Sequence, residues 1–548
     1  MAETYIPECH SEDMDLTRGS QEPRVQPETS MPPPTPFGVL DSEILWRCRT
    51  RQNLTRASLP HIRRRLAQAW RLLLASRIDE ALHAIERIEL QLDDVSPVVA
   101  KRFRTATDLL RGACLAFQDD SVAALTIAVP HLKESGVNQD HHAASTLCRL
   151  GYWHLGKFDF FYSLPRSQPG IRWSKSRAIS AMLDLSIEAA AALDHLRVST
   201  AKRLATDALN IAETVLKESG GLATLPACLT AQVLYEEGCL DQAEMILRDR
   251  LPVINAEAPI ECALRAYLIL SRIATQRLQY DFAAVLLREG EALGERRGWP
   301  RLVAACLAER TSLLLQRGRM AEARICFDNL DRYAETHHPR SGHCGSEVLR
   351  YRTLTRWRVS WAEAPSTDAV AALRQLYHHS MEKRNFYLGC GLAVELAEML
   401  AVIGESEEAD ALFFHTIKAG AAAGLYQVFL EGTAGLGLLL RRAYYRAQAS
   451  GSTDREVLPF VGSLLSRWSA RYADRRSTER SRRVSDTLTA RERDILVKIS
   501  QGFPNKRIAR TLKISPETVK SHVKRIFLKL AVTTRSEAVS RAGSLGIL

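Results

Sequence analysis

The run LTARERDILVKISQGFPNKRIARTLKISPETVKSHVKRIFLKL, from Leu488 to Leu530, decides the fold of the C-terminal end. Thr489 is placed to cap a helix, and Glu492 three residues on completes a capping box. Gly502 stops that helix. A second helix is predicted from about Asn505 to Leu512. After the short turn Lys513-Ile514, Ser515 caps a third helix with Pro516 in its first position, running to about Leu530. Thr534 and Glu537 form another capping box, for a last helix ending near Ala542. The second and third helices, joined by a tight turn, make a helix-turn-helix. Ile508, Ala509 and Leu512 supply one apolar face. Val519, Val523, Ile526, Phe527 and Leu530 supply the stripe that meets it. The other side of the third helix carries Lys520, Ser521, Lys524 and Arg525, with Glu517 as its one carboxylate, in the first turn. Such a face suits the base edges and phosphates of a major groove. The free amides at a helix start suit a phosphate.

Charge supports that reading. From Arg475 to Leu548 there are 18 Lys or Arg against six Asp or Glu. The net +12 of this stretch exceeds the +11 of the whole 548-residue chain, so the rest is close to neutral. A basic segment on a neutral body is the footprint of a polyanion-binding module. A solvated basic tail is the plain alternative, and the dense helical patterning argues against it.

The segment resembles the LuxR-type (GerE-like) helix-turn-helix domain of bacterial regulators. The resemblance rests on Leu488, Thr489, Arg491, Glu492, Gly502, Asn505, Lys506, Ile508, Ala509, Leu512, Ser515, Thr518, Val519, Lys520, His522, Ile526, Lys529, Leu530, Val532 and Arg535. It implies that Lys520, Ser521 and Lys524 read bases, and that Asn505, Lys506, Thr518 and His522 contact phosphate or backbone. Arg525 and Lys529 join the expected interface as further cations. It also implies pairing of two domains on a two-fold DNA site and RNA polymerase as a protein partner. Two residues depart from the family pattern. Pro504 replaces the hydroxyl residue that usually caps the second helix. Ala531 replaces the usual Gly, where a left-handed turn is harder.

Upstream, residues 43–446 read as amphipathic helices with a recurring phrase: an apolar run, a polar turn, an acidic residue, Ala and another apolar run. Gly238 to Ala243, Leu278 to Ala283 and Gly318 to Ala323 carry it at two equal steps of 40 residues. Arg77 to Leu82 and Gly404 to Ala409 repeat it, with weaker copies near Ala123, Phe161, Ala201 and Ala369. A repeat of this length is a pair of antiparallel helices, and neighbouring pairs stack into a solenoid. The phrase resembles the turn of tetratricopeptide repeats. Ala423 to Gly432, followed by Leu438-Leu439-Leu440, resembles the end of the repeat domain in MalT-like regulators, here without their N-terminal ATP-binding domain. The expected fold is therefore all-α: a TPR-like solenoid, then a four-helix LuxR-type domain from 484 to 548. Residues 1–42 hold seven of the 21 prolines and read as a disordered tail. Residues 447–483 read as one helix, from about Glu456 to Tyr472, and an arginine-rich linker.

Other motifs carry less. Gly151 to Lys157 fits the first seven positions of a phosphate-binding loop, but Phe158 stands where Ser or Thr must hold magnesium, and no strand precedes it. It reads as a repeat turn. His337, His338, His343 and Cys344 have zinc-binding residue types without regular ligand spacing, so a polar loop is expected there. The 11 cysteines are scattered, with no C-x-x-C pair, and read as reduced thiols of a cytoplasmic protein. No charge-free apolar stretch of about 20 residues suggests a membrane span. No cofactor, metal or catalytic constellation is expected. The leading reading is a regulator that binds double-stranded DNA and senses a small-molecule or protein effector on its repeats. A repeat scaffold with secondary DNA binding is the alternative, and an enzyme with a hidden nucleotide site is a third.

Overall fold

The computed structural model describes residues 59–93, 95–134, 139–166, 175–216, 220–337, 343–433, 435–449, 456–471, 488–530 and 532–544. All regular structure among them is helical. The proline-rich segment, the basic stretch 475–483 and Ala531 lie outside the described residues.

Helices from Leu59 to Ala423 come in antiparallel pairs, the first being Leu59–Leu74 with Ile78–Glu89 and the last Phe386–Ile403 with Ser406–Ala423. The turn inside each pair explains the phrase in the sequence. Gly238, Leu278 and Gly318 hold φ of 83°, 62° and 67°, the left-handed conformation that closes a helix. One residue later the amides of Cys239, Gln279 and Arg319 donate back to the carbonyls of Leu234, Ala274 and Leu314 at 2.8–3.0 Å. The fourth residue of the second helix then meets its partner closely, and Ala81, Ala124, Ala201, Ala243, Ala283, Ala323 and Ala409 are all 0% exposed there. The copy expected at Ala123 sits one residue later, at Ala124. At Phe161 a fully buried ring replaces the small residue, and the Arg149 guanidinium lies 4.4 Å from its centre. Gly151 lies inside the helix Gln139–His154, where a Cβ would stand 2.7 Å from the Leu125 Cβ. Its role is helix packing, as expected of a repeat.

Ion pairs lock the first helices of successive pairs in register. Arg272 forks onto Glu309 at 2.9 Å, and Arg358 forks onto Glu395. The coil also closes on itself. The Trp299 indole donates to the Phe117 carbonyl at 2.8 Å, and Arg301 bridges buried Asp119 and Glu261. The bonds to Phe117 and Asp119 join residues 182 positions apart, so the repeats are not held by nearest neighbours alone.

Two large cores result, one including Ile62 to Leu313 and one including Leu354 to Leu464. The helix over 458–471, which the sequence placed in the connecting segment, belongs to the second core through Phe460, Val461 and Leu464. Phe386–Ile403 is long and apolar enough to cross a membrane by length and composition. It carries Glu395 and Glu398, and it packs between Thr367–Glu382 and Ser406–Ala423. His337 stacks on Tyr333 and Cys344 is buried. His338 and the side chain of His343 lie outside the described residues.

Candidate nucleic-acid interface

The C-terminal helices are Ala490–Ser500, Asn505–Leu512, Pro516–Leu530 and Arg535–Ser544. Both capping boxes form. The Glu492 amide donates to the Thr489 hydroxyl at 3.2 Å, and the Thr489 amide donates to the Glu492 carboxylate at 2.8 Å. At the last helix, Thr533 and Thr534 amides donate to Glu537, holding its carboxyl below the ordinary range. Gly502 has φ of 78° and ends the first helix. The turn between the second and third helices closes on Lys513, at φ 52° and ψ 46°, with the Ile514 amide returned to the Ala509 carbonyl at 3.0 Å. A lysine there occupies a conformation that favours glycine. Ser515 caps the third helix by accepting from the Thr518 amide at 3.0 Å.

A small core holds the four helices together: Ile495, Leu496, Ile499, Ile508, Ala509, Val519, Ile526, Leu530, Ala538 and Ala542, among others. Three polar ties fix the frame around it. Arg491 donates to the Leu512 carbonyl at 2.5 Å, satisfying the end of the second helix. Arg535 donates to the Phe503 carbonyl and to the Asn505 side-chain oxygen. Lys529 reaches back 2.6 Å to Glu492, which is 2% exposed. Burial works against an ionised Glu492, but the hydrogen bonds from Lys529 and Thr489 outweigh it and hold the carboxyl below its ordinary value.

The expected contact residues divide accordingly. Lys506, Thr518, Lys520, Ser521, Lys524 and Arg525 are exposed. Asn505, Lys520 and Lys524 border one open groove of about 630 Å³, together with Val523, Phe527, Leu528, Val532 and Thr533. Lys520 makes an exposed ion pair with Glu517 at 2.7 Å. Asn505 is half-buried and its side-chain oxygen accepts from Arg535. His522 is half-buried, and its Nδ1 is buried without a hydrogen-bond partner among the described residues. Lys529 faces inward onto Glu492, which makes it part of the frame. Pro504 sits at the N-cap of the second helix with no side-chain cap, as its identity requires. Leu528, one turn beyond Lys524 and 73% exposed, lines the groove and drew no attention in the sequence. Its apolar side chain on the outer stripe was the available signal.

Residues 486–542 match the family described as bacterial regulatory proteins, luxR family. This segment is a LuxR-family helix-turn-helix domain. Similar proteins include the nitrate/nitrite response regulator protein NarL of Escherichia coli (strain K12), 52% identical over 100 residues, covering 18% of this chain and 42% of that protein. A putative HTH-type transcriptional regulator of Mycobacterium bovis, Mb0914c, is 36% identical over 102 residues, covering 18% of this chain and 12% of its own. The chain thus spans less than half the length of these two curated relatives, and a LuxR-type domain is what the family match covers. Among solved structures, the chain is similar to a Rap protein complexed with Competence and Sporulation Factor. That match has 14% identity and a TM-score of 0.49, over 66% of this chain and 99% of the other.

Proposed function

We propose that the chain is a sequence-specific transcription regulator whose LuxR-type domain reads the major groove of double-stranded DNA. The observation that carries the reading is the outer face of Pro516–Leu530. Lys520, Ser521, Lys524 and Arg525 stand exposed on a helix whose opposite face is buried in the domain core. Lys520, Ser521 and Lys524 take base edges, with Lys suited to guanine acceptors. Lys506, Thr518 and Arg525 take phosphates, and the start of Asn505–Leu512, which has no side-chain cap from Pro504, adds a phosphate site. Asn505 and His522 act from half-buried positions, and Lys529 acts by holding the frame through Glu492. Two such domains meet on paired half-sites, which raises effective affinity without new contacts. The repeats act as the sensor for a small-molecule or protein effector, in the cytoplasm, with RNA polymerase as the downstream partner.

The test is selection of bound duplexes from a random-sequence pool by the whole chain, followed by Lys520→Ala and Lys506→Ala on the selected site. Lys520→Ala is expected to lower affinity by about 1–3 kcal/mol and to flatten preference at one base position. Lys506→Ala should weaken all sequences evenly and reduce the salt dependence. Unchanged selectivity in Lys520→Ala overturns the assignment of the reading helix. No enriched sequence at all leaves the scaffold reading in its place.

A further inference from the structure

The segment that ends the repeats, Ala423 to Gly432, lies across two parts of the molecule. Its amide at Tyr426 donates 2.8 Å to the carbonyl of Glu236, nearly 200 residues earlier. Gln427, 2% exposed, accepts from the Gln276 amide at 2.7 Å. Glu431 accepts from the Tyr235 hydroxyl and lies 3.5 Å from Arg272. On its other side the same segment holds the helix over 458–471. Phe460 lies 4.9 Å from the Tyr426 ring and 6.0 Å from the Phe429 ring, centre to centre. The Arg467 guanidinium covers Tyr426 at 4.3 Å, and Arg471 donates to the Leu430 carbonyl.

The two sides differ in chemistry. Phe429 and Leu430 share the second core with Phe460, Val461 and Leu464, so the segment and the terminal helix are bound together by apolar packing. Towards the earlier repeats the seam is mostly polar, and Leu425 is the segment's one member of the first core. That seam also crowds two acids, and burial together with the nearby Glu431 pushes the Glu236 carboxyl up to about 8. Glu431 accepts from the Tyr235 hydroxyl, Glu236 accepts from the Tyr387 hydroxyl, and the nearby cation, Arg272, already forks onto Glu309. Glu236 is 1% exposed, and the Val428 backbone of the segment also acts on its carboxylate. Buried carboxylates that share a cation repel, and a polar seam is separable at lower cost than an apolar one, because water or ligand groups replace its hydrogen bonds.

We propose that Leu425 to Glu431 is a latch. Seated on Tyr235, Arg272 and Gln276, it holds the helix over 458–471 against the repeats. Released, it frees that helix and changes the DNA binding of the domain that follows in sequence. The last clause rests on the DNA-binding reading above; the latch itself does not.

The experiment uses the whole chain and hydrogen exchange read segment by segment. The double variant Tyr235→Phe, Gln276→Ala removes the two neutral side-chain donors that the earlier repeats offer to Glu431 and Gln427. Amides of 425–431 and of 458–471 should exchange at least tenfold faster, while Tyr280–Arg297 and Pro300–Gln316 keep their rates. Glu236→Gln removes the charge that Glu236 gains only as pH rises through about 8, so it should slow both segments about threefold at pH 9 and leave them unchanged at pH 7. Faster exchange in 425–431 with 458–471 unchanged, or no opposite effect of Glu236→Gln, overturns the latch. Affinity of the double variant for a duplex selected by the wild-type chain should shift at least threefold. No shift, with both segments loosened, overturns the link to DNA. A wild-type chain that selects no duplex overturns the DNA-binding reading, and the exchange rates then decide the latch alone.

Discussion

Lys529 and Lys520 show why position on a helix outranks residue type. Both are lysines of Pro516–Leu530, yet Lys520 pairs with its exposed neighbour Glu517, and Lys529 neutralises the nearly buried Glu492. Lys529→Met leaves that carboxylate unpaired and should destabilise the domain by about 1–3 kcal/mol, less than a fully buried pair because Lys529 is partly solvated. The pH dependence follows from the lowered Glu492 value. In the wild type this group stabilises the fold above the ordinary carboxylate range and loses that contribution as pH falls through its depressed value. In Lys529→Met the deficit should be largest at neutral pH and shrink as Glu492 takes up a proton. Urea unfolding at pH 7 and pH 4.5 checks this, and a deficit that grows towards acid refutes it. Lys513 offers the opposite sign. Lys513→Gly relieves a left-handed residue and should raise domain stability by about 0.5–1 kcal/mol, net of glycine's larger unfolded entropy. A loss in melting temperature counts against strain at that turn.

At the scale of elements, the helix over 458–471 is the piece whose place only contacts reveal. Its neighbours leave no room to spare. The Phe429 ring presses on Gly420, and the Trp468 ring presses on Gly437. A methyl at Gly420 would meet Phe429, which in turn carries Phe460. Gly420→Ala should therefore cost about 1–3 kcal/mol by overpacking. It should also expose the terminal helix to protease before the first core opens. Timed proteolysis with mass mapping reads the order of cuts, and an unaltered order removes Phe429 as the link. The four-helix end was far more legible. Caps at Thr489, Ser515 and Thr534, stops at Gly502 and the turn at Lys513 are local signals, each set by backbone groups within a few residues.

For the whole molecule, the positive charge is concentrated after Asp474, and the packing of the helix over 458–471 decides where a fragment of the repeats should end. A fragment ending at residue 446 would lose Phe460, Val461 and Leu464 from the second core and leave the Phe429 ring without Phe460. A fragment over 59–471 should unfold cooperatively and bind no DNA, and one over 59–446 should melt lower and associate through the exposed core. A fragment over 482–548 should bind single half-sites weakly, and the whole chain should gain on paired half-sites. Calorimetry and titration on single and paired sites check these together. Equal stability of the two long fragments would separate the 458–471 helix from the repeat body, and equal affinity of the whole chain and the short fragment for paired sites would leave the repeats passive.

The residues alone determined what depends on short-range physics. The 40-residue step, the small Ala at most of the close crossings, the capping boxes and the basic face of the third helix all follow from steric size, backbone capping and charge within one or two turns of chain. The lysine that belongs to the frame, the return of Trp299 and Arg301 onto Phe117 and Asp119, and the seat of Gln427 on Gln276 follow from none of these. They join residues that lie from tens to nearly 200 positions apart; Lys529 meets Glu492 inside the four-helix domain, and the other two sets meet through the accumulated rotation of stacked pairs. No local pattern records that rotation, because each pair adds only a small turn and the contact appears when several have been summed.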